Sequence, residues 1–170
     1  AETIHLSSRW SVLRQVGAIV SSVLTYRRMN TIADLLSFRQ DGSPCGDIVY
    51  DEILASGYAT VSRVDVRALT VLRRFFVLRS FVRSLLRRYD IRAVVLSHCV
   101  GLIGGTISRL FLRAGIELFW HLGSHQILLR RYRKVEELGI YPLAPPRALL
   151  TRLESTQTEE VIQGITSYIA

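Results

Sequence analysis

The chain has 170 residues, 49% of them hydrophobic and 21% charged, with 22 Lys+Arg against 14 Asp+Glu for a formal charge of +8. That length suits one domain that buries roughly 70% of its unfolded surface, and the aliphatic and aromatic content excludes a disordered chain. With 11 Gly, 4 Pro and 2 Cys, a collagen-like or disulfide-stapled build is excluded too.

Ser7 or Ser8 can cap a first helix whose apolar positions, Trp10, Leu13, Val16, Val20, Val23 and Leu24, recur at three- and four-residue steps. A second, short helix is predicted from about Asn30 to Phe38 on Ile32, Leu35 and Leu36. Turn formers dominate Arg39–Gln40–Asp41–Gly42–Ser43–Pro44 and end it. The compact segment Gly46–Asp47–Ile48–Val49–Tyr50–Asp51 follows. Asp47 and Asp51 are four apart and would share one side of a helical turn; helix capping or pairing with an arginine explains them as readily as a binding role.

The longest predicted element runs from Val64 to Tyr89, where Val64, Ala68, Val71, Phe75, Leu78, Val82 and Leu85 form one helical stripe. Leu72, Phe76 and Phe81 lie off that stripe, which calls for neighbours on more than one side. Arg79, Arg83 and Arg87 fall on an adjoining arc; a solvated face accounts for them, and an anionic partner is the sharper reading.

Ala93–Val94–Val95–Leu96 has the composition of a buried parallel strand. It leads through Ser97–His98–Cys99 and Gly101–Leu102–Ile103–Gly104–Gly105 into a helical run from Thr106 to Arg113, stopped by Gly115. Ile116 to Trp120 is a second strand, so the unit is a βαβ crossover and the class is α/β. A third strand is predicted at Gln126 to Leu129, followed by the charged run Arg130 to Glu137. Pro142, Pro145 and Pro146 precede a helix from Arg147 to Glu154, and Thr156 to Tyr168 is a last helix. The resulting plan is one domain over 1–170: a helical lead-in over 1–62, a helix plus βαβ core over 64–150, and a C-terminal helix over 151–170. An expected part of a longer polypeptide, the chain begins at Ala1 and ends at Ala170 just after an apolar helical pattern.

Ligands of open α/β sheets bind outside the carboxyl ends of the strands. That directs attention to Ser97 and His98, where an imidazole can bond a sugar hydroxyl or act as a base. Helix-start amides attract anions, but Gly101, Gly104 and Gly105 do not have the dinucleotide spacing and no lysine follows as in a phosphate-binding loop. Close helix–strand packing explains these glycines equally. No metal site is expected: His5, His98, His121 and His125 combine with no ligand set at usual spacing, and Gly123 places His121 and His125 in a loop. Cys45 and Cys99 are far apart and read as reduced thiols in a cytosolic setting.

The uncharged runs Gln15–Tyr26 and Ala93–Ser108 have 12 and 16 residues, short of the roughly 18–20 that a membrane span needs. The reading is a soluble protein able to rest on a membrane surface. All basic residues but Lys134 are arginines, which make two-pronged contacts to phosphate and carboxylate. An arginine-rich composition can also follow from genome base composition.

Gly46–Asp47–Ile48–Val49–Tyr50–Asp51–Glu52 resembles the "GDLIYD" segment of bacterial surface- and capsular-polysaccharide biosynthesis proteins, which are glycosyltransferase-like. In that family a long helix follows, then an apolar strand ending in "SH", a glycine, and a helix ending in Gly-Ile. Val64 to Tyr89, Ala93–Val94–Val95–Leu96–Ser97–His98, Gly104 and Arg113–Ala114–Gly115–Ile116 match those features in order. The resemblance implies a Rossmann-like parallel sheet flanked by helices, the N-terminal, acceptor-side half of a GT-B transferase. It implies a nucleotide-sugar donor with no other cofactor, a glycan acceptor, and a cytoplasmic place at the inner face of an anionic membrane. Asp47, Tyr50, Asp51 and His98 carry over as cleft-lining, with His98 as the candidate general base, and Ser97, Gly101 and Gly104 join them as candidate substrate-binding residues. The family often has a tyrosine where this chain has Gly101, so an acceptor contact there is not implied. The alternatives are a basic non-catalytic nucleic-acid-binding protein, which no recognisable reading motif supports, and a membrane-surface or partner-binding scaffold.

Overall fold

A computed structural model describes residues 12–57, 60–122 and 128–139. By internal contacts the chain divides into two compact units, Ala1–Leu138 and Gly139–Ala170; all of the second beyond Gly139 lies outside the described residues. So do the Ser7 or Ser8 cap, Trp10, and the helices expected at Arg147–Glu154 and Thr156–Tyr168.

The described part is mixed α/β. Helix α1 is Val12–Tyr26 and α2 is Ile32–Leu36. Thr31 caps α2 in a reciprocal box: its hydroxyl accepts from the Asp34 amide at 3.1 Å and the Asp34 carboxylate accepts from the Thr31 amide at 2.8 Å. The turn-former segment is a small hairpin, β1 Arg39–Gln40 against β2 Ser43–Pro44. Its tip, Asp41–Gly42, has φ of +54° and +78°, the paired left-handed geometry that matches the twist of a two-residue hairpin.

The Gly-Asp-Ile-Val-Tyr-Asp segment opens helix α3, Gly46–Ala55. Helix α4, Val66–Arg88, starts at Asp65, whose carboxylate accepts from the Arg67 amide at 2.9 Å. It buries Ala68, Val71, Phe75, Leu78 and Val82 of the expected stripe, and Leu72 and Phe76 beside it. Those two extra positions follow from its neighbours, since α1, α3 and α5 all pack on α4. Phe38, Phe75 and Phe76 meet edge to face with ring centres 5.3–6.3 Å apart, at the centre of a core that also holds Leu35, Ile48, Val49, Ile53, Leu72 and Leu102.

Strand β3 is Ala93–Leu96, α5 is Gly101–Arg113 and β4 is Glu117–Leu122. β3 and β4 pair in parallel, from Ala93 opposite Glu117 to Leu96 opposite Trp120, so the βαβ crossover stands. Two expectations change here. The third strand, β5, is Leu128–Tyr132 and runs antiparallel to β4. The sheet, ordered β3-β4-β5, is therefore mixed and small. Only residues 123–127 separate β4 from β5, too few for a parallel crossover. The strand also takes in Arg130 and Arg131 of the charged run. Nor is β3 buried: Val94 and Leu96 face a second core with Leu112, Leu118, Trp120 and Tyr132, whereas Ala93 and Val95 are exposed. β3 ends the sheet among the described residues, and that core lies on one of its faces only.

In α1 the apolar stripe is not the side that packs. Ala18 and Ser22 are its buried positions, while Val16, Val20, Val23 and Leu24 of the apolar stripe are exposed. Its buried small residues lie on the side that packs on α4, and Tyr26 is partly buried against the main core.

Candidate functional site

The carboxyl end of β3 is held from two sides. Trp120 on β4 donates its indole N–H to the Ser97 carbonyl at 2.9 Å. Ser108 on α5, fully buried, donates its hydroxyl to the Gly104 carbonyl at 2.7 Å and reaches the Cys99 carbonyl at 3.4 Å. Between these anchors Ser97 and His98 are exposed, and the Ser97 hydroxyl lies 3.1 Å from His98 Nδ1. Gly101 begins α5 with φ +66°, a conformation that side chains disfavour. The first-turn amides that follow have no intrahelical acceptor. An imidazole, a hydroxyl and the positive end of a helix thus share one strand end, a set suited to a hydroxyl donor and a neighbouring anion.

Gly104 and Gly105 serve packing. A Cβ at Gly104 would run into the His98 carbonyl, and one at Gly105 would lie 2.6 Å from Ile48 Cγ2. The first lets the strand-end loop close on α5; the second seats α3 against α5. Gly104 is therefore turned to its own backbone, and of the two glycines expected at the substrate, Gly101 is the one with open space around it.

α3 supplies the other carried-over residues. Asp47, with its side chain 54% exposed, pairs with Arg109 Nη2 on α5. Tyr50 is half-buried against the main core, and Asp51 is exposed. The α3–α5 contact brings both motif segments onto adjacent elements. Among the described residues no hydrogen bond or ion pair links Asp47, Tyr50 or Asp51 to Ser97 or His98. His121, expected in a loop, stands in β4 opposite Leu129; His125 lies outside the described residues.

Arg109 was not visible as a special residue in the sequence. Its side chain is 11% exposed, and while Nη2 binds Asp47, Nε and Nη1 are buried without a hydrogen-bond partner. Thr106 Oγ1, one turn earlier on α5, is likewise buried and unpartnered. A complementary acid in the neighbouring motif was the available signal, but nothing in the spacing joins positions 47 and 109.

Asp41 is the second cluster the sequence did not disclose. Arg79 grips both its carboxylate oxygens at 2.8 Å, Arg83 adds a bond of 2.6 Å, and Arg113 Nε donates to its backbone carbonyl at 3.0 Å. The Arg79 hydrogen bonds hold the Asp41 carboxyl below its usual range. Arg79 and Arg83 are thus answered from within the chain, rather than by solvent alone or an outside anion. Burial pushes the thiols of Cys45 and Cys99, both unpaired, up to about 11.

Among the described residues no helix is long and apolar enough to cross a membrane. Comparison with family models, curated proteins and solved structures returns no match.

Proposed function

We propose that the chain is a glycosyltransferase-like protein of surface or capsular polysaccharide biosynthesis, the acceptor-side, Rossmann-like half of a GT-B enzyme. The observation that carries this reading is the β3–α5–β4 crossover with exposed Ser97 and His98 at the carboxyl end of its first strand. The motif order along the chain supports it.

In this reading His98 Nε2 takes the proton of an acceptor hydroxyl as that oxygen attacks the anomeric carbon of a nucleotide-sugar. The bond from sugar to diphosphate breaks, and the nucleoside diphosphate leaves with the electron pair. Ser97, bonded to Nδ1, fixes the ring, and the first turn of α5 at Gly101 receives a polar group of the substrate. Asp51 and Tyr50 line the acceptor side, and Asp47 acts through its pair with Arg109. The nucleotide-sugar is a substrate, and the reaction belongs at the cytoplasmic face of the membrane.

A nucleic-acid role is the weaker reading. Arg67, Arg74, Arg79, Arg83, Arg92, Arg109, Arg131 and Arg133 are paired with the chain's own carboxylates. These pairs use part of the basic charge that a phosphate backbone would need.

The test is sugar transfer by the complete protein from a labelled nucleotide-sugar. His98→Ala should lower kcat by about 100-fold or more, the usual contribution of a general base, with the donor KM little changed. Transfer that survives His98→Ala at the original rate removes the base from the mechanism.

A further inference from the structure

The outward face of α1 has no counterpart in the transferase reading. Val16, Ile19, Val20, Val23 and Leu24 are spaced along one side of the helix and are 37–52% exposed. The opposite side, with Ala18 at 3% and Ser22 at 1% exposure, is buried, and α1 packs on α4. Ser22 satisfies its hydroxyl on the Ile19 carbonyl at 2.8 Å, so its burial leaves no orphaned group. Small residues allow a close helix contact. Turning the large aliphatic side inward would open that contact, so the apolar side is fixed outward.

Two features say what covers it. No acidic residue occurs from Val12 to Arg28, and Arg27 and Arg28 stand exposed just past the helix end. Among the described residues no carboxylate lies within ion-pair distance of either. In a second copy of the chain, α1 itself offers Arg27 and Arg28 no carboxylate. An anionic lipid surface offers hydrocarbon for the stripe and phosphate for the arginines. Its described 15 residues are about 22 Å long, and with one side packed on α4 the helix lies in the interface rather than across it.

We infer that α1 is a membrane-docking helix that seats Val16, Val20, Val23 and Leu24 in an anionic lipid surface, with Arg27 and Arg28 on the headgroups. This stands apart from the transferase reading, and loss of the His98 role leaves it intact.

The full chain is sedimented with phosphatidylcholine vesicles, with and without a third of phosphatidylglycerol. Binding to the anionic vesicles is expected, weakened at least about tenfold by Val20→Ser/Leu24→Ser. Each of Arg27→Gln and Arg28→Gln should cost about fivefold, as one juxtamembrane charge does. A bimane label on Val20→Cys, readable because Cys45 and Cys99 are buried, should shift to the blue on vesicle addition even if a double variant fails to fold. Binding that the double variant retains in full overturns the inference, and so does an unshifted label. Concentration-dependent self-association abolished by Val20→Ser, with no vesicle binding, overturns it in favour of a dimer face.

Discussion

Arg79 closes a two-pronged ion pair on Asp41, 38 residues earlier in the chain, with Nε and Nη2 each 2.8 Å from a carboxylate oxygen. The pair ties the hairpin tip to the middle of α4. Both side chains are largely sheltered, at 17% and 23% exposure, so it is worth more than a solvent-washed bridge. Asp41→Asn should cost about 1.5–3 kcal/mol, the usual worth of charge-assisted hydrogen bonds, read from chemical denaturation. Arg79→Lys should recover only part, because an ammonium cannot span both oxygens.

The same pair sets a pH dependence. The folded Asp41 carboxyl is lowered, chiefly by the Arg79 hydrogen bonds. Its contribution is therefore complete above the unfolded value of about 3.9 and fades as pH falls through the lower folded value. The wild type should lose stability on acidification below about pH 4–5, and Asp41→Asn should show a shallower acid limb. Parallel acid limbs for the two proteins would remove Asp41 as the cause.

Glycine substitutions in helices should split by sign. Alanine is better than glycine in a helix interior by about 1 kcal/mol. Gly17 on α1 has nothing within 4 Å of a would-be Cβ, so Gly17→Ala should stabilise by roughly 0.5–1 kcal/mol. At Gly104 the added methyl meets the His98 backbone carbonyl, which cannot swing aside as a side chain does. Gly104→Ala should destabilise by about 1–3 kcal/mol and disturb the Ser97–His98 loop. Thermal melts of the two variants moving the same way would refute the packing of that loop on α5.

How legible this was depends on what periodicity encodes. The stripe of α4 was readable because Val71, Phe75, Leu78 and Val82 combine bulk with helical spacing, and those side chains are buried. In α1 the same pattern marks an apolar side without saying which side packs. A stripe shows that a helix has two faces, and the small face of Ala18 and Ser22 is the one that fits against α4. Arg130 and Arg131 look like a solvated run, yet β5 includes them, because alternate strand positions can point to water while Tyr132 is buried at 1% exposure. Ser97 and His98 were legible as a strand end. That Asp47 pairs with an arginine was legible, but its partner Arg109 and the Asp41–Arg79 pair were not, since only the folded chain brings positions so distant together.

The two cysteines offer a readout of the intact fold. Burial raises both thiols to about 11, leaving little thiolate at pH 8. Native protein should react slowly with an aromatic disulfide reagent, and both thiols should titrate promptly in denaturant. One fast thiol in native buffer would show that either Cys45 or Cys99 opens to solvent.

The Asp47–Arg109 pair should respond asymmetrically to mutation. Removing Asp47 strands a guanidinium that is 89% buried (11% exposed) and already lacks acceptors for Nε and Nη1. Asp47→Ala should therefore cost about 1.5–3 kcal/mol. Arg109→Met removes the buried charge and its orphaned donors while keeping most of the volume, and leaves Asp47 in water. Such replacements of poorly compensated buried charges are often neutral or stabilising, so Arg109→Met should melt at or above the wild type. The double variant should resemble Arg109→Met alone, because the cost of Asp47→Ala resides in the charge it leaves behind. A full set of melts across this cycle decides it: equal losses for both single variants would mean that the pair itself, rather than the stranded guanidinium, carries the energy.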